Sequence, residues 1–124
     1  MNVVDSSGWL EYFADGPNAD FFAPAVESTA DLVVPTISIY EVFKRVLQQR
    51  DEGDALEAVA VMQQGRVVGL DTAIALSAAK VSVGLKLPMV DSVMLVTARM
   101  HNATLWTQDA DLKNIEGVEY VEKR

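Results

Sequence analysis

The chain has 124 residues, which is the length of one domain, and we expect a single domain spanning residues 1–124. Half of its residues are hydrophobic and 23% are charged, which allows a packed core and excludes general disorder. There is no cysteine, so disulfides, thiolate zinc sites and cysteine nucleophiles are excluded. The only histidine, His101, makes a protein zinc site or a Ser-His-Asp triad a poor hypothesis.

Acidic residues outnumber basic ones by eighteen to ten, which gives a net charge of −8. Such a chain is poorly suited to passive binding of nucleic acid, so action on a polyanion would require a recruited cation. The first residues, Met1 to Asp5, contain neither a basic start nor a long apolar stretch. We therefore expect no signal peptide, no membrane span and a cytoplasmic protein.

Short Val-rich runs predict five strands, in chain order at Asn2 to Val4, Leu32 to Val34, Val67 to Leu70, Thr104 to Trp106 and Val118 to Val121. The first four are nearly continuous in apolar character, which is typical of strands buried on both faces of a parallel sheet. Because these runs alternate with segments of helical periodicity, the sequence predicts an α/β sandwich.

Six segments between and beside these runs predict helices, at Gly8 to Ala14, Asn18 to Ser28, Ile39 to Arg50, Asp54 to Gln64, Thr72 to Leu87 and Val90 to Asn102. The third is amphipathic, with one apolar stripe and a polar opposite face. The last is apolar almost all round, so we expect it to be largely buried.

Four carboxylates fall where a predicted strand ends or a predicted helix begins: Asp5, Glu41, Asp91 and Asp109. Ligands of open parallel sheets bind beyond the carboxyl ends of the strands, so these side chains are candidates for one crevice. Carboxylates that converge there cannot all stay ionised without a cation between them. Oxygen ligands without His or Cys favour Mg²⁺ or Mn²⁺.

Each of these acids also has a structural interpretation. Asp5 before Ser6 is an ordinary helix N-cap, and Asp109 and Asp111 suit a turn. Asp91 is the hardest to explain in this way, because a carboxylate on an apolar helix face needs a partner to justify its burial.

Glu41 has structural alternatives of its own. Ser38 to Glu41 matches a capping box, in which Glu41 would accept a hydrogen bond from the Ser38 amide. Glu41 could equally pair with Lys44 or Arg45 on the same helix.

Several segments together resemble the PIN-domain ribonucleases: Val3-Val4-Asp5-Ser6-Ser7, Ser38 to Glu41, Asp91 at the start of a buried helix, and the run from Thr104 to Asp111. Their order and spacing, and the size of the chain, are similar to the VapC-like toxins of type II toxin–antitoxin pairs. The resemblance covers essentially the whole chain. It implies a PIN-like three-layer sandwich with a central, mostly parallel sheet flanked by helices.

The resemblance also implies an activity, that of an endoribonuclease dependent on Mg²⁺ or Mn²⁺. Its catalytic and metal-binding acids would be Asp5, Glu41, Asp91 and Asp109. Asp111 lies where such proteins are often acidic, and Thr107 would be the hydroxyl residue that orients a carboxylate or a water. An antitoxin that covers the acidic groove and assembly as a homodimer are further implications.

Three cations follow Glu41 on its predicted helix: Lys44, Arg45 and Arg50. They could hold RNA phosphates near the metal, or they could simply form a solvated helix face.

Two other functions remain open. A receiver domain of two-component signalling shares the length, the fold class and an acidic Mg²⁺ pocket, although the Lys-Pro turn expected near Thr107 or Asp109 is missing. The chain could also be a catalytically silent PIN-like module that only binds a partner, although all four acids are present.

Overall fold

The computed structural model describes residues 1–124 and contains the five strands and six helices that the sequence predicts, in the same order. The strands are β1 (Asn2–Val4), β2 (Val33–Pro35), β3 (Arg66–Val68), β4 (Thr104–Thr107) and β5 (Val118–Tyr120). The helices are α1 (Ser6–Phe13), α2 (Ala19–Glu27), α3 (Thr36–Gln49), α4 (Glu52–Met62), α5 (Thr72–Leu85) and α6 (Met89–Met100). Single 3-10 turns lie at Thr29–Asp31 and Ala110–Leu112.

The strands lie in the order β3-β2-β1-β4-β5, and all of their pairings are parallel. One isolated bridge between Asn2 and Leu32 joins the β2–β3 pair to the other three strands. Since every strand runs the same way, the carboxyl ends of β1, β2 and β4 share one edge of the sheet. That edge is where the acids were expected.

Helices cover both faces of the sheet, and β1 shows how. Val3 and Val4 are both fully buried, yet they point to opposite faces, as successive strand residues do. Val4 belongs to a core with residues of α1 to α4, including Trp9 and Phe22. Val3 belongs to a second core with residues of α6, including Met94. The result is the three-layer α/β sandwich that was predicted.

Helix α6 is the most buried helix of the fold. Eight consecutive residues, from Asp91 to Ala98, are buried. The helix packs on the sheet through Met94 and on α5 through Val93 and Val96. This confirms the burial predicted from its apolar composition, and it fixes the position of Asp91 in its first turn.

No single helix is long and apolar enough to cross a membrane. Helices α5 and α6 meet the criteria of length and composition only when taken together, and they are bent by 117° at their junction.

One prediction about burial is wrong. Strand β3 is not buried on both faces: Arg66 is exposed, and Val67 is 39% exposed. The reason is its place at the edge of the sheet, where it has β2 as its only neighbour. It also begins one residue earlier and ends two residues earlier than its apolar run indicates.

Candidate active site and metal centre

Three acids meet at the carboxyl edge of the sheet. Asp5 directly follows β1, Asp109 lies two residues after β4, and Asp91 is the third residue of α6. Each offers a carboxylate oxygen, and the three oxygens lie within 4.8 Å of one another. The one salt bridge of the protein, between Arg50 and Asp54, lies elsewhere. No protein cation therefore forms an ion pair with this cluster.

Asp5 caps α1 and faces the cluster with the same carboxylate. Its Oδ1 accepts hydrogen bonds from the Gly8 amide (3.0 Å) and the Ser7 hydroxyl (2.8 Å), which confirms the N-cap interpretation. Its Oδ2 accepts a hydrogen bond from the Thr107 hydroxyl at 2.6 Å. Burial raises the pKa of Asp5, and these three hydrogen bonds oppose the increase. The two interpretations of Asp5 are thus compatible.

Thr107 connects two members of the cluster. It is fully buried, and its hydroxyl oxygen accepts a hydrogen bond from the Asp109 amide (2.9 Å) while the hydroxyl donates to Asp5. The Asp109 carboxylate in turn accepts a hydrogen bond from the Asp111 amide at 2.9 Å. These contacts are those that a carboxylate-orienting hydroxyl would make.

The electrostatics of the cluster centre on Asp91, which is only 8% exposed. Burial, followed by the charge of Asp109 and a hydrogen bond to it, raises the pKa of Asp91 to about 7. The charges of Asp5 and Asp111 act in the same direction. Like charges held together in this way favour the binding of a cation, and an all-carboxylate donor set suits Mg²⁺ or Mn²⁺. The residues present therefore fit such an ion.

A cavity of about 490 Å³ opens over the cluster between α1, α3 and the start of α6. Its charged lining consists of the three clustered acids together with Glu41, Lys44, Arg45 and Asp111. Glu41 and Asp111 share this cavity but stand outside the close group of three. The structure thus brings all five predicted acids to one place, with three of them in mutual reach.

The alternative interpretation of Ser38 and Glu41 as a capping box is wrong. Helix α3 begins at Thr36, so Ser38 lies inside its first turn, and Glu41 is the sixth residue of the helix. The Ser38 hydroxyl donates instead to the Pro35 carbonyl, at 2.7 Å. Pro35, with its fixed φ, precedes the helix, which therefore begins ahead of the apolar stripe that predicts a start at Ile39. Glu41 is therefore not held by a cap.

The three candidate RNA-binding cations separate into two groups. Lys44 and Arg45 line the acidic cavity, and Lys44 Nζ lies 5.7 Å from the centre of the Tyr40 ring. Arg50 does not line it, because it directly follows the end of α3 and pairs with Asp54 at the start of α4.

Eight residues that line the cavity were not predicted as site residues, and two of them, Tyr40 and Gln48, lie on α3. Both lie on the face of α3 that carries Glu41, Lys44 and Arg45, and the spacing of these positions matches a helix surface. That periodicity was available in the sequence, but their neutral side chains gave no chemical signal.

Fold and site together define a parallel α/β sandwich with a carboxylate cluster at the carboxyl edge of its sheet. The sequence matches the PIN domain family over residues 3–118, so the chain belongs to the PIN domain family. This confirms the predicted family and disfavours the receiver-domain alternative. No curated protein sequence matches the chain.

Solved structures share the fold. A toxin–antitoxin complex from Klebsiella pneumoniae matches with a TM-score of 0.79 and 21% identity, over 96% of each chain. VapBC2 of Rickettsia felis, bound to a promoter DNA fragment, matches with a TM-score of 0.74 and 12% identity, over 96% of this chain and 97% of that one. The Mycobacterium tuberculosis toxin VapC20, which cleaves the sarcin-ricin loop, matches with a TM-score of 0.74 and 15% identity, over 90% of this chain and 92% of that one.

Proposed function

We propose that this protein is a metal-dependent endoribonuclease and the VapC-like toxin of a toxin–antitoxin pair, acting in the cytoplasm. The observation that carries the proposal is the convergence of Asp5, Asp91 and Asp109 with no protein cation among them. Membership of the PIN domain family and the toxin complexes among the structural relatives support it.

In this proposal Asp5, Asp91 and Asp109 would hold Mg²⁺ or Mn²⁺, and Glu41 and Asp111 would be further ligands from the cavity wall. The ion, when bound, would supply positive charge that acidifies a water and offsets charge on the phosphate. Thr107 keeps the Asp5 carboxylate in place and fixes the Asp109 backbone through its hydroxyl. Asp91 would hold the ion as the ionised carboxylate, because the protonated form is a poor ligand.

Lys44 and Arg45 would hold the phosphates of the RNA beside the acids, since both line the same cavity. Arg50 would contact only a strand that extends beyond this cavity and would first have to leave Asp54. The acids would thus serve the cleavage of one phosphodiester through the ion, while Lys44 and Arg45 would hold the flanking RNA backbone. The hydrolysis needs no protein nucleophile.

The proposed partners are an antitoxin and a second copy of the chain, which would form a homodimer. An antitoxin that inserts an arginine among the three carboxylates would replace the missing cation, since a guanidinium pairs bidentately with carboxylates. Expression of the chain alone should slow growth, and co-expression with its genomic neighbour should restore it. Equal growth in both cultures would favour the silent-module alternative.

The direct test is cleavage of a structured RNA by purified protein with Mn²⁺, with Mg²⁺ and with EDTA. Cleavage should need the ion and should fall by orders of magnitude in Asp91→Asn. Glu116→Gln is the matched control, because it also removes one negative charge but lies on an exposed loop outside the cavity. If all three proteins cleave the RNA equally and without the ion, the cleavage does not depend on the acidic cluster, and the proposal is overturned.

A further inference from the structure

Asn18 lies between α1 and α2, outside the acidic cavity, yet its side chain is only 3% exposed. It occupies the N-cap position of α2, where an asparagine side chain ordinarily accepts a hydrogen bond from the first turn of the helix. Asn18 makes no such bond. Its amide group is therefore committed to something other than helix capping.

Both hydrogens of the Asn18 amide are used, and one of them is donated to the segment next to the site. Asn18 Nδ2 donates to Gln108 Oε1 at 2.9 Å and to the Glu122 carbonyl at 3.0 Å. The backbone amide of Asn18 donates to Glu11 Oε2 at 2.8 Å, which ties Asn18 itself to α1. Helix α1 thus reaches Gln108 through a chain of hydrogen bonds.

Gln108 is the residue between Thr107 and Asp109, and it is 5% exposed. Thr107 is held on its other side as well, because its carbonyl accepts a hydrogen bond from the Val121 amide at 3.0 Å. The Asn18–Gln108 bond is the side-chain contact that fixes the middle of this short segment. Buried polar contacts of this kind keep a single arrangement, since an unpaired amide in the interior is costly.

We propose that Asn18 is a positioning residue that, through Gln108, sets the distance of Asp109 from Asp5 and Asp91 and thereby the metal affinity of the cluster. The inference rests on the proposed metal site. Asn18 touches neither the acids nor the cavity, so it acts only through residues 107–109.

The test is the Mn²⁺ dissociation constant of the full chain, measured by calorimetry well below the melting temperature. Asn18→Ala should weaken Mn²⁺ binding about tenfold, the lower end of the effect usual for residues that support metal ligands. Gln108→Ala should weaken Mn²⁺ binding by the same factor, although the hydrogen bond from Asn18 to the Glu122 carbonyl stays in place. The double variant should bind Mn²⁺ no more weakly than the weaker of the two single variants, because both changes break the same Asn18–Gln108 bond.

Asn2→Ala is the matched control. Asn2 likewise makes a long-range side-chain hydrogen bond, since it accepts one of 2.8 Å from the Trp106 ring, but it lies at the opposite end of β1 from Asp5. It should lower the melting temperature without changing Mn²⁺ affinity. Wild-type affinity in both Asn18→Ala and Gln108→Ala would overturn the inference and leave the metal site standing. A wild-type chain that binds no Mn²⁺ would overturn the metal site and this inference together.

Discussion

The hydroxyl of Thr107 donates a 2.6 Å hydrogen bond to Asp5 Oδ2, which joins residues 102 positions apart in the chain. The contact exists because β1 and β4 are adjacent parallel strands, with Val4 opposite Trp106. Asp5 directly follows β1 and Thr107 is the last residue of β4, so the register of the two strands places these residues side by side. The site is thus built on the central strands of the sheet.

Thr107→Val should remove that bond while it keeps the shape of the side chain. The buried Asp5 would lose one hydrogen bond and the Asp109 amide its acceptor, so unfolding should require roughly 1–3 kcal/mol less. Urea denaturation measures this loss, and cleavage should fall with it. Thr107→Ser keeps the hydroxyl and should retain most of both properties. If valine and serine behave alike, the hydroxyl does not orient the acids.

The metal-free protein should lose stability as the pH rises from 5 to 8. The folded pKa of Asp91 is about 7, against an ordinary value of 3.8, so the folded protein keeps a proton that the unfolded chain releases. The contribution of this proton to the free energy of unfolding is complete below the unfolded pKa of Asp91 and disappears as the pH rises through its folded pKa. The raised pKa of Asp5 acts with the same sign.

Thermal melts in EDTA across this range test the expectation. Asp91→Asn should flatten the profile, because the amide has no proton to lose, and Glu116→Gln should leave it as in the wild type. A wild-type melting temperature that climbs between pH 5 and 8 would contradict the repulsion inferred for the cluster.

The secondary structure was predictable because its signals are local: apolar runs marked the strands, and periodicity marked the helices. The same signals indicated the buried α6 and placed Asp91 at its start. The contacts within the site were not predictable, since Thr107 with Asp5 and Asn18 with Gln108 span 102 and 90 residues. They depend on strand order and register, which the sequence pattern does not specify.

Mn²⁺ or Mg²⁺ should stabilise the protein, because either ion relieves the repulsion among Asp5, Asp91 and Asp109. At 100 times its Kd, a ligand that binds only the folded state adds about 2.7 kcal/mol. Differential scanning calorimetry at several metal concentrations should show this increase, and Asp91→Asn should lose most of it. In the absence of metal, and at a pH above the folded pKa of Asp91, Asp91→Asn should be at least as stable as the wild type, since it removes one like charge. A melting temperature independent of both ions would exclude the site.

Glu41 shares the cavity with the three clustered acids but stands outside their close group, so its role depends on its charge. It is not a cap, because α3 begins at Thr36, and a glutamine in its place should leave stability nearly unchanged. Glu41→Gln should nevertheless reduce metal-dependent cleavage by orders of magnitude if the carboxylate holds the ion.

Ser38→Ala should give the reverse pattern: it removes the hydrogen bond to the Pro35 carbonyl, at a cost of about 1 kcal/mol, and spares activity. Melts and RNA cleavage on both variants separate the two effects. Full activity in Glu41→Gln would leave the metal to Asp5, Asp91 and Asp109 alone.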